Sequence, residues 1–164
     1  MNFPEELLNG IWHTTKIERF HKIMETGYIA AEPDIPNKDR WKANRGSEYY
    51  PYVRSVGGIS LFDFRYFEEE KYSKDYPLSN WHIFVPFFKE WEASIWIEID
   101  YEALENNFLT GKYLIDQWNE QKAYKHTIMP IIEAASLISI PVSLFKRIMI
   151  SSSEHRDFQP YKYN

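Results

Sequence analysis

Three places in the chain carry side chains of a type and setting that could do chemistry. His13 and Thr14 sit in Ile11-Trp12-His13-Thr14-Thr15, a short strand-like run that leads into a helical pattern. The start of a helix offers unpaired amides and the positive end of its dipole, which suits an anionic or amide-bearing ligand. There His13 would donate a hydrogen bond to a ligand hydroxyl, and the Thr14 backbone would pair with an amide. The competing reading is a buried histidine satisfied by a carbonyl, beside a threonine that only caps. Ser60 lies in Gly57-Gly58-Ile59-Ser60-Leu61-Phe62, a strand opened by glycines that let another group approach the backbone; otherwise it faces solvent. Glu133 stands among Ile131, Ile132, Ala134 and Ala135. A carboxylate in an apolar run is costly to bury without a partner. It either lines a cavity, where such acids serve catalysis or meet a developing cation, or points outward at a sheet edge.

Other chemistries are excluded or unsupported. The sequence has no cysteine, which removes disulfides, thiolate metal sites and cysteine nucleophiles. No phosphate-binding glycine fingerprint and no HExxH pattern is present. The five histidines are scattered, so no metal site is expected. Net charge is −5, which gives no global attraction to nucleic acid. Locally, however, Lys38, Arg40, Lys42, Arg45 and Arg54 interleave with Trp41, Tyr49, Tyr50 and Tyr52. Cations and rings mixed in this way suit phosphates and bases, or form a solvated loop.

The elements that must position these groups can be read from periodicity and punctuation. A strand is expected over 10–14 and a helix over 15–26. Thr15 and Glu18 would form a capping box, Ile17, Phe20, Ile23 and Met24 recur at helical spacing, and Gly27 would close the helix. Residues 32–52 hold Pro33, Pro36, Asn37, Asn44, Gly46 and Pro51, the composition of an irregular and functional loop. Strands are expected over 57–62, 95–99, 127–134 and 147–150. Asp63 to Asp75 reads as an exposed turn or short helix, Asp100 as the cap of a helix over 101–107, and Pro141 as the start of a short helix reaching Phe145. In Ile95-Trp96-Ile97-Glu98-Ile99 the isoleucines take one face. Hairpins with a few helices indicate an α+β fold. The 164 residues, 44% apolar and 18% aromatic, suit one domain over 1–164, with 151–164 as a loosely held tail. The opening residues show no basic-then-apolar leader and no run is long enough to span a membrane, so a cytoplasmic protein is expected.

In order and rough spacing, these blocks resemble the ADP-ribosyltransferase superfamily. Ile11-Trp12-His13-Thr14-Thr15 with Phe20, Ile23 and Gly27-Tyr28-Ile29 is similar to its first block. Gly58-Ile59-Ser60-Leu61-Phe62 is similar to the second, and Ile131-Ile132-Glu133-Ala134 with Ile140-Pro141 to the third. The resemblance is to the histidine-type branches, which include nucleic-acid-modifying toxins and RNA 2′-phosphotransferases. It implies a split β-sheet sandwich with a few flanking helices, and NAD as co-substrate. It further implies His13, Thr14 and Ser60 around the nicotinamide ribose, Arg54 or Arg45 on the diphosphate, and His13 and Glu133 in catalysis. Tyr124 and His126 would meet a nucleic-acid or protein acceptor. Trp96 and Trp118 are candidates to stack on a ring or to pack in the core. A role as toxin or phage-defence or counter-defence protein, and a partner such as an antitoxin, would follow. Two departures matter: Ile131 stands where the arginine-modifying branch has a second acid, and the tyrosine of the second block has only Tyr66 or Tyr72 as counterparts. A non-catalytic nucleotide- or protein-binding module of the same fold is the alternative.

Overall fold

The computed structural model describes residues 3–33, 35–42 and 45–164; Asn44 and the Met1-Asn2 start lie outside them. The fold is α+β: a large antiparallel sheet with a few helices. Seven strands follow the spatial order β5 (Phe108–Leu109), β6 (Glu133–Ser136), β3 (Ile59–Asp63), β1 (Ile11–Lys16), β4 (Ala93–Ile99), β8 (Phe145–Ser152) and β9 (Gln159–Pro160). A separate ribbon pairs β2 (Tyr28–Ile29) with β7 (Ile140–Pro141).

Alternation along the strands sorts the core into two layers, because successive side chains leave a strand on opposite faces. Ile11, Ile59, Leu61, Ile95, Ile97 and Ile99 form an aliphatic layer with Phe20 and Ile23 of α1 (Ile17–Thr26). Trp12, Phe62 and Trp96 form an aromatic layer with Phe64, Tyr72, Trp81 and Phe84, which come from the segment between β3 and β4. The large rings are fixed at their polar ends as well as packed. Trp12 Nε1 donates to the Leu7 carbonyl at 2.9 Å and Trp96 Nε1 to that of Pro86 at 2.9 Å. Trp96 is fully buried, which makes it core and not a ligand platform.

The expected elements are present with shifts. Pro141 pairs with Tyr28 in β7, so only Val142–Leu144 turn, and Asp100 makes no side-chain cap for Tyr101–Asn107, a 3-10 run broken at Glu105. The first strand runs on to Lys16, and Thr15 is a buried strand residue opposite Ile95, not a cap. β4 offers pairing partners as far as Ser94, and continued main-chain pairing outweighs one side-chain cap. Gly27 does end α1, at φ 90°, its amide bonded to the Ile23 carbonyl at 2.8 Å. Residues 127–132 are not strand: Pro130 lacks a donor and Ile131 adopts φ 68°, so the ladder begins only at Glu133. Asp63 belongs to β3, which follows the short α2 (Tyr52–Ser55), and the charged stretch after it coils only over α3 (Glu69–Asp75). The tail is not loose: β9 covers the outer edge of β8, Phe158 is buried, and Tyr161 Oη lies 3.0 Å from His21 Nε2. An edge strand left open would expose unpaired amides and carbonyls.

Between β5 and β6 runs α4 (Gly111–Glu120), capped by Thr110, whose hydroxyl accepts from the Tyr113 amide at 3.1 Å. A Cβ at Gly111 would run into the carbonyl of Ile131, so the first turn of α4 presses on the turn that leads to Glu133. Gly111→Ala should lower the melting temperature by on the order of 5 °C through overpacking, read by thermal denaturation; an unchanged value would mean that this contact is slack.

Candidate functional site

β1 and β3 pair only through Ile11–Asp63 and Trp12–Phe62. β1 continues along β4 and β3 continues along β6, so the two neighbours part at residue 13. The His13 ring reaches across this parting, with Nδ1 3.1 Å from the Ser60 carbonyl oxygen. A carbonyl can only accept, so Nδ1 carries the proton and donates. Burial, the largest cause, together with the charge of Arg19 brings the imidazole down to about 4, against the opposing pull of the Ser60 hydrogen bond. The ring is therefore neutral at pH 7, and its Nε2 is an acceptor. That corrects the donor role expected for His13: the residue is both satisfied by a carbonyl and part of a cavity wall.

The cavity beside the parting has a volume of about 870 Å³, in the upper part of the range of small-molecule and cofactor pockets. His13, Thr14, Ser60 and Glu133 all line it. Thr14 Oγ1 donates to the Ile95 carbonyl at 3.0 Å, which fixes its side chain on the β4 backbone.

Glu133 begins β6 directly opposite Phe62, and Ser60 is its diagonal neighbour on the same face of β3. Its side chain does not point outward: the residue is 4% exposed. Ser60 Oγ donates to Oε2 at 2.8 Å and the Met129 amide donates to Oε1 at 2.9 Å. Burial pushes the carboxyl above its ordinary range, while these two hydrogen bonds draw it back. Among the described residues no cation forms an ion pair with it. Each carboxyl oxygen is thus met by one neutral dipole, and no charged partner among the described residues offsets a charge on it.

The turn before Glu133 is held in place by several hands. Tyr72 Oη donates to the Pro130 carbonyl at 2.6 Å, the Asp63 amide to Ile132 at 2.7 Å, and the Tyr52 amide to Thr127 at 2.8 Å. Ile131, a β-branched residue at φ 68°, is in a strained conformation. Of the two tyrosines considered above, Tyr66 is 89% exposed, whereas Tyr72 is buried behind the turn.

Arginines supply the opposite charge. Arg54, Arg19 and Arg40 line the cavity. Arg19 is titrated down from its ordinary value first by burial and then by Arg40, so two guanidiniums repel each other across the wall. Arg19 follows from α1, where Arg19, Lys22, Ile23 and Thr26 recur on one helix face toward the cavity; that spacing was visible in the sequence, but which face met a cavity was not. Trp41 stands edge-on to Phe84 and Phe88 at 5.1 and 5.7 Å and also lines the cavity. Arg45 is not part of the lining: it is exposed and lies 4.8 Å above the Tyr49 ring. Tyr124 is exposed and packs edge-on against Trp118 at 4.8 Å. His126 lines a smaller neighbouring pocket, with Nδ1 2.7 Å from the Tyr50 carbonyl, and accepts from Trp118 Nε1 on its own carbonyl at 2.9 Å. Trp118 is thereby committed to the scaffold. The described residues hold no group of acids and histidines fit for a metal, and no helix among them is long and apolar enough to cross a membrane.

The His13 imidazole gives a signed pH effect on stability. Its folded value of about 4 lies below the ordinary 6.5, so on acidification the unfolded chain takes up the proton first, and stability falls between those two values. Glu133, raised in the fold, acts in the opposite direction. In urea unfolding between pH 6.5 and 4.5, wild type should lose midpoint faster than His13→Asn; parallel curves would contradict the neutral imidazole. Compared with known proteins, the chain matches no family model, no curated protein and no solved structure.

Proposed function

We propose that this chain is an NAD-dependent ADP-ribosyltransferase, built on a split-sheet fold of that superfamily, which passes ADP-ribose to a macromolecular acceptor. The observation that carries the reading is Glu133: a buried carboxylate, oriented by Ser60 and Met129 and without a counter-cation among the described residues, on the wall of a large cavity that also holds arginines. Such a charge is a pre-arranged partner for a cation that forms during reaction. Breaking the C1′–N bond of NAD supplies one. Both bonding electrons leave with nicotinamide, which departs neutral, and the positive charge passes to the ribosyl ring.

Each group then has a part that its geometry suits. Glu133 stabilises the ribosyl cation. As the acceptor's nucleophile gives an electron pair to C1′, Glu133 takes the proton that the nucleophile sheds, and its raised proton affinity favours that step. His13 Nε2 accepts from a ribose hydroxyl, while the Thr14 backbone meets the nicotinamide amide. Ser60 keeps the carboxylate aimed. Arg19 and Arg40 face the diphosphate, with Arg54 beside them as a further cation. The absence of an acid at Ile131 argues for an acceptor other than arginine.

The test is release of nicotinamide from NAD. Glu133→Gln should slow it by on the order of a hundredfold or more, with the melting point and the NAD-induced shift retained. Ser60→Ala should move the acidic limb of the pH–rate profile upward, because the carboxylate loses one of its two donors. A wild-type protein that is stabilised by NAD but never releases nicotinamide with any acceptor would be a binding module. A melting point unmoved by millimolar NAD would remove the nucleotide pocket altogether.

A further inference from the structure

Glu133 is aimed from a turn that would not keep its shape unaided. The Ile132 amide donates to the Pro130 carbonyl at 2.7 Å across Ile131, which stands at φ 68°. A hydrogen bond that skips one residue, with positive φ at the residue skipped, is the rare and strained form of the γ-turn. A β-branched residue suits it poorly, and such strain persists only where the surroundings over-determine it. Three contacts do so. The Asp63 amide of β3 donates to the Ile132 carbonyl at 2.7 Å. Gly111, at the head of α4, leaves the room that the Ile131 carbonyl occupies. Tyr72 of α3 donates its hydroxyl to the Pro130 carbonyl at 2.6 Å. Of the three, only the last is made by a side chain.

Tyr72 is itself firmly held. It is buried, with its ring 5.3 Å from that of Phe67 and 5.1 Å from that of Tyr76. Its oxygen also lies 3.0 Å from Ser79 Oγ. The phenol proton goes to Pro130, so the serine is the donor of this second bond. Burial, the largest cause, raises the proton affinity of the phenol; Tyr76 and Glu133 add to the effect and Ser79 opposes it. The hydroxyl therefore stays a donor at neutral pH. Tyr72 is not among the residues that line the cavity, so its influence on the site runs through the turn.

We propose that Tyr72 is a positioning residue for the Glu133 carboxyl. Its hydroxyl pins the Pro130 carbonyl, and the pinned turn presents the Met129 amide to Oε1 at 2.9 Å. With Ser60 on Oε2, that amide fixes the carboxyl at the cavity wall. Without the hydroxyl the strained turn has one restraint fewer and relaxes, and the amide leaves its line with Oε1. The part this plays in turnover rests on the transferase reading above; the aiming of the carboxyl does not.

The experiment follows the Met129 amide by two-dimensional NMR of the full chain, without NAD. Because this amide donates to Oε1, its resonance reports the ionisation of Glu133. The other groups facing the carboxyl are the Ser60 hydroxyl on β3, the Tyr72 phenol on α3 and, through the Ser60 backbone, the His13 imidazole on β1. Glu133→Gln, in which the inflection should vanish, tells it from the titration of His13. Tyr72→Phe keeps the ring and its packing. In it the inflection should move to higher pH, since the carboxylate loses its line with one of two donors. The Met129 amide should also exchange with solvent about tenfold faster. Ser79→Ala removes the neighbour of the hydroxyl but not its bond to Pro130, and should leave the inflection in place. A melting curve for each variant checks the fold. An inflection unmoved in Tyr72→Phe would overturn the proposal. So would an equal movement in Ser79→Ala, which would trace the effect to a loosened α3 and not to the hydroxyl. Nicotinamide release is measured separately, where Tyr72→Phe should lower kcat by on the order of ten- to a hundredfold with KM little changed. Turnover unmoved by Tyr72→Phe removes the residue from the reaction. A wild type that never releases nicotinamide, with the Met129 inflection still moved by Tyr72→Phe, ends the transferase reading and leaves the positioning role standing.

Discussion

A carboxylate that is 4% exposed cannot keep its charge unless fixed dipoles replace the water it has lost. In this fold the replacements are one serine hydroxyl and one backbone amide, and both come from elements whose positions are set elsewhere. Ser60 reaches Glu133 because β3 and β6 are paired in the register that makes them diagonal neighbours. The Met129 amide reaches it because the turn over 129–132 is bent back on itself, with the Glu133 amide bonded to the Met129 carbonyl at 3.1 Å. A register slip of one residue in β6 would send the carboxylate to the opposite face of the sheet. Much of the surrounding structure can be understood as what prevents that slip.

Rigidity near the acid and openness beside it come from the same source. β1 and β3 stay paired at Trp12–Phe62, under the aromatic layer, and separate where that layer gives way to the cavity. The His13 ring spans the start of the gap and donates to the Ser60 backbone, replacing a main-chain contact by a side-chain one. The mouth of the cavity is built differently. The described residues between 30 and 50 have little regular structure, and Arg40 among them lies close enough to Arg19 of α1 to lower its proton affinity. Arg40 is also paired with Glu32 at 3.3 Å, so cations and acids alternate along this wall. The carboxylate side of the site thus lies on strands, and the arginine side on α1 and the irregular segment that follows it.

Several features were legible before any coordinates. Alternation in 95–99 gave the two faces of β4, and Gly27 marked the end of α1, because period and left-handed backbone are local properties of the chain. Glu133 could be singled out because it is an acid among apolar neighbours, His13 because it stands where a strand leads into a helix, and Ser60 because glycines open its strand. Thr15 misled for a physical reason: its side chain suits a helix cap, but the strand partner that claimed it lies about eighty residues away. Residues 127–132 misled in the same manner, since their apolar content suits a strand while Pro130 and the strained Ile131 deny it the ladder. The tail is polar enough to look loose, yet the open edge of β8 gave it a place to pair.

What the sequence determined by itself is the α+β class, the alternation that makes a two-faced sheet, and the identity of the few groups able to do chemistry. These depend on residue type and short spacing. What only the tertiary structure decided is that His13, Ser60 and Glu133, spread over most of the chain, share one cavity, that Arg19 and Arg40 face it while Arg45 does not, and that the His13 ring is a neutral acceptor. Those facts follow from strand order, from the place where two strands part, and from burial. All three arise from contacts between residues distant in sequence, which no local pattern encodes.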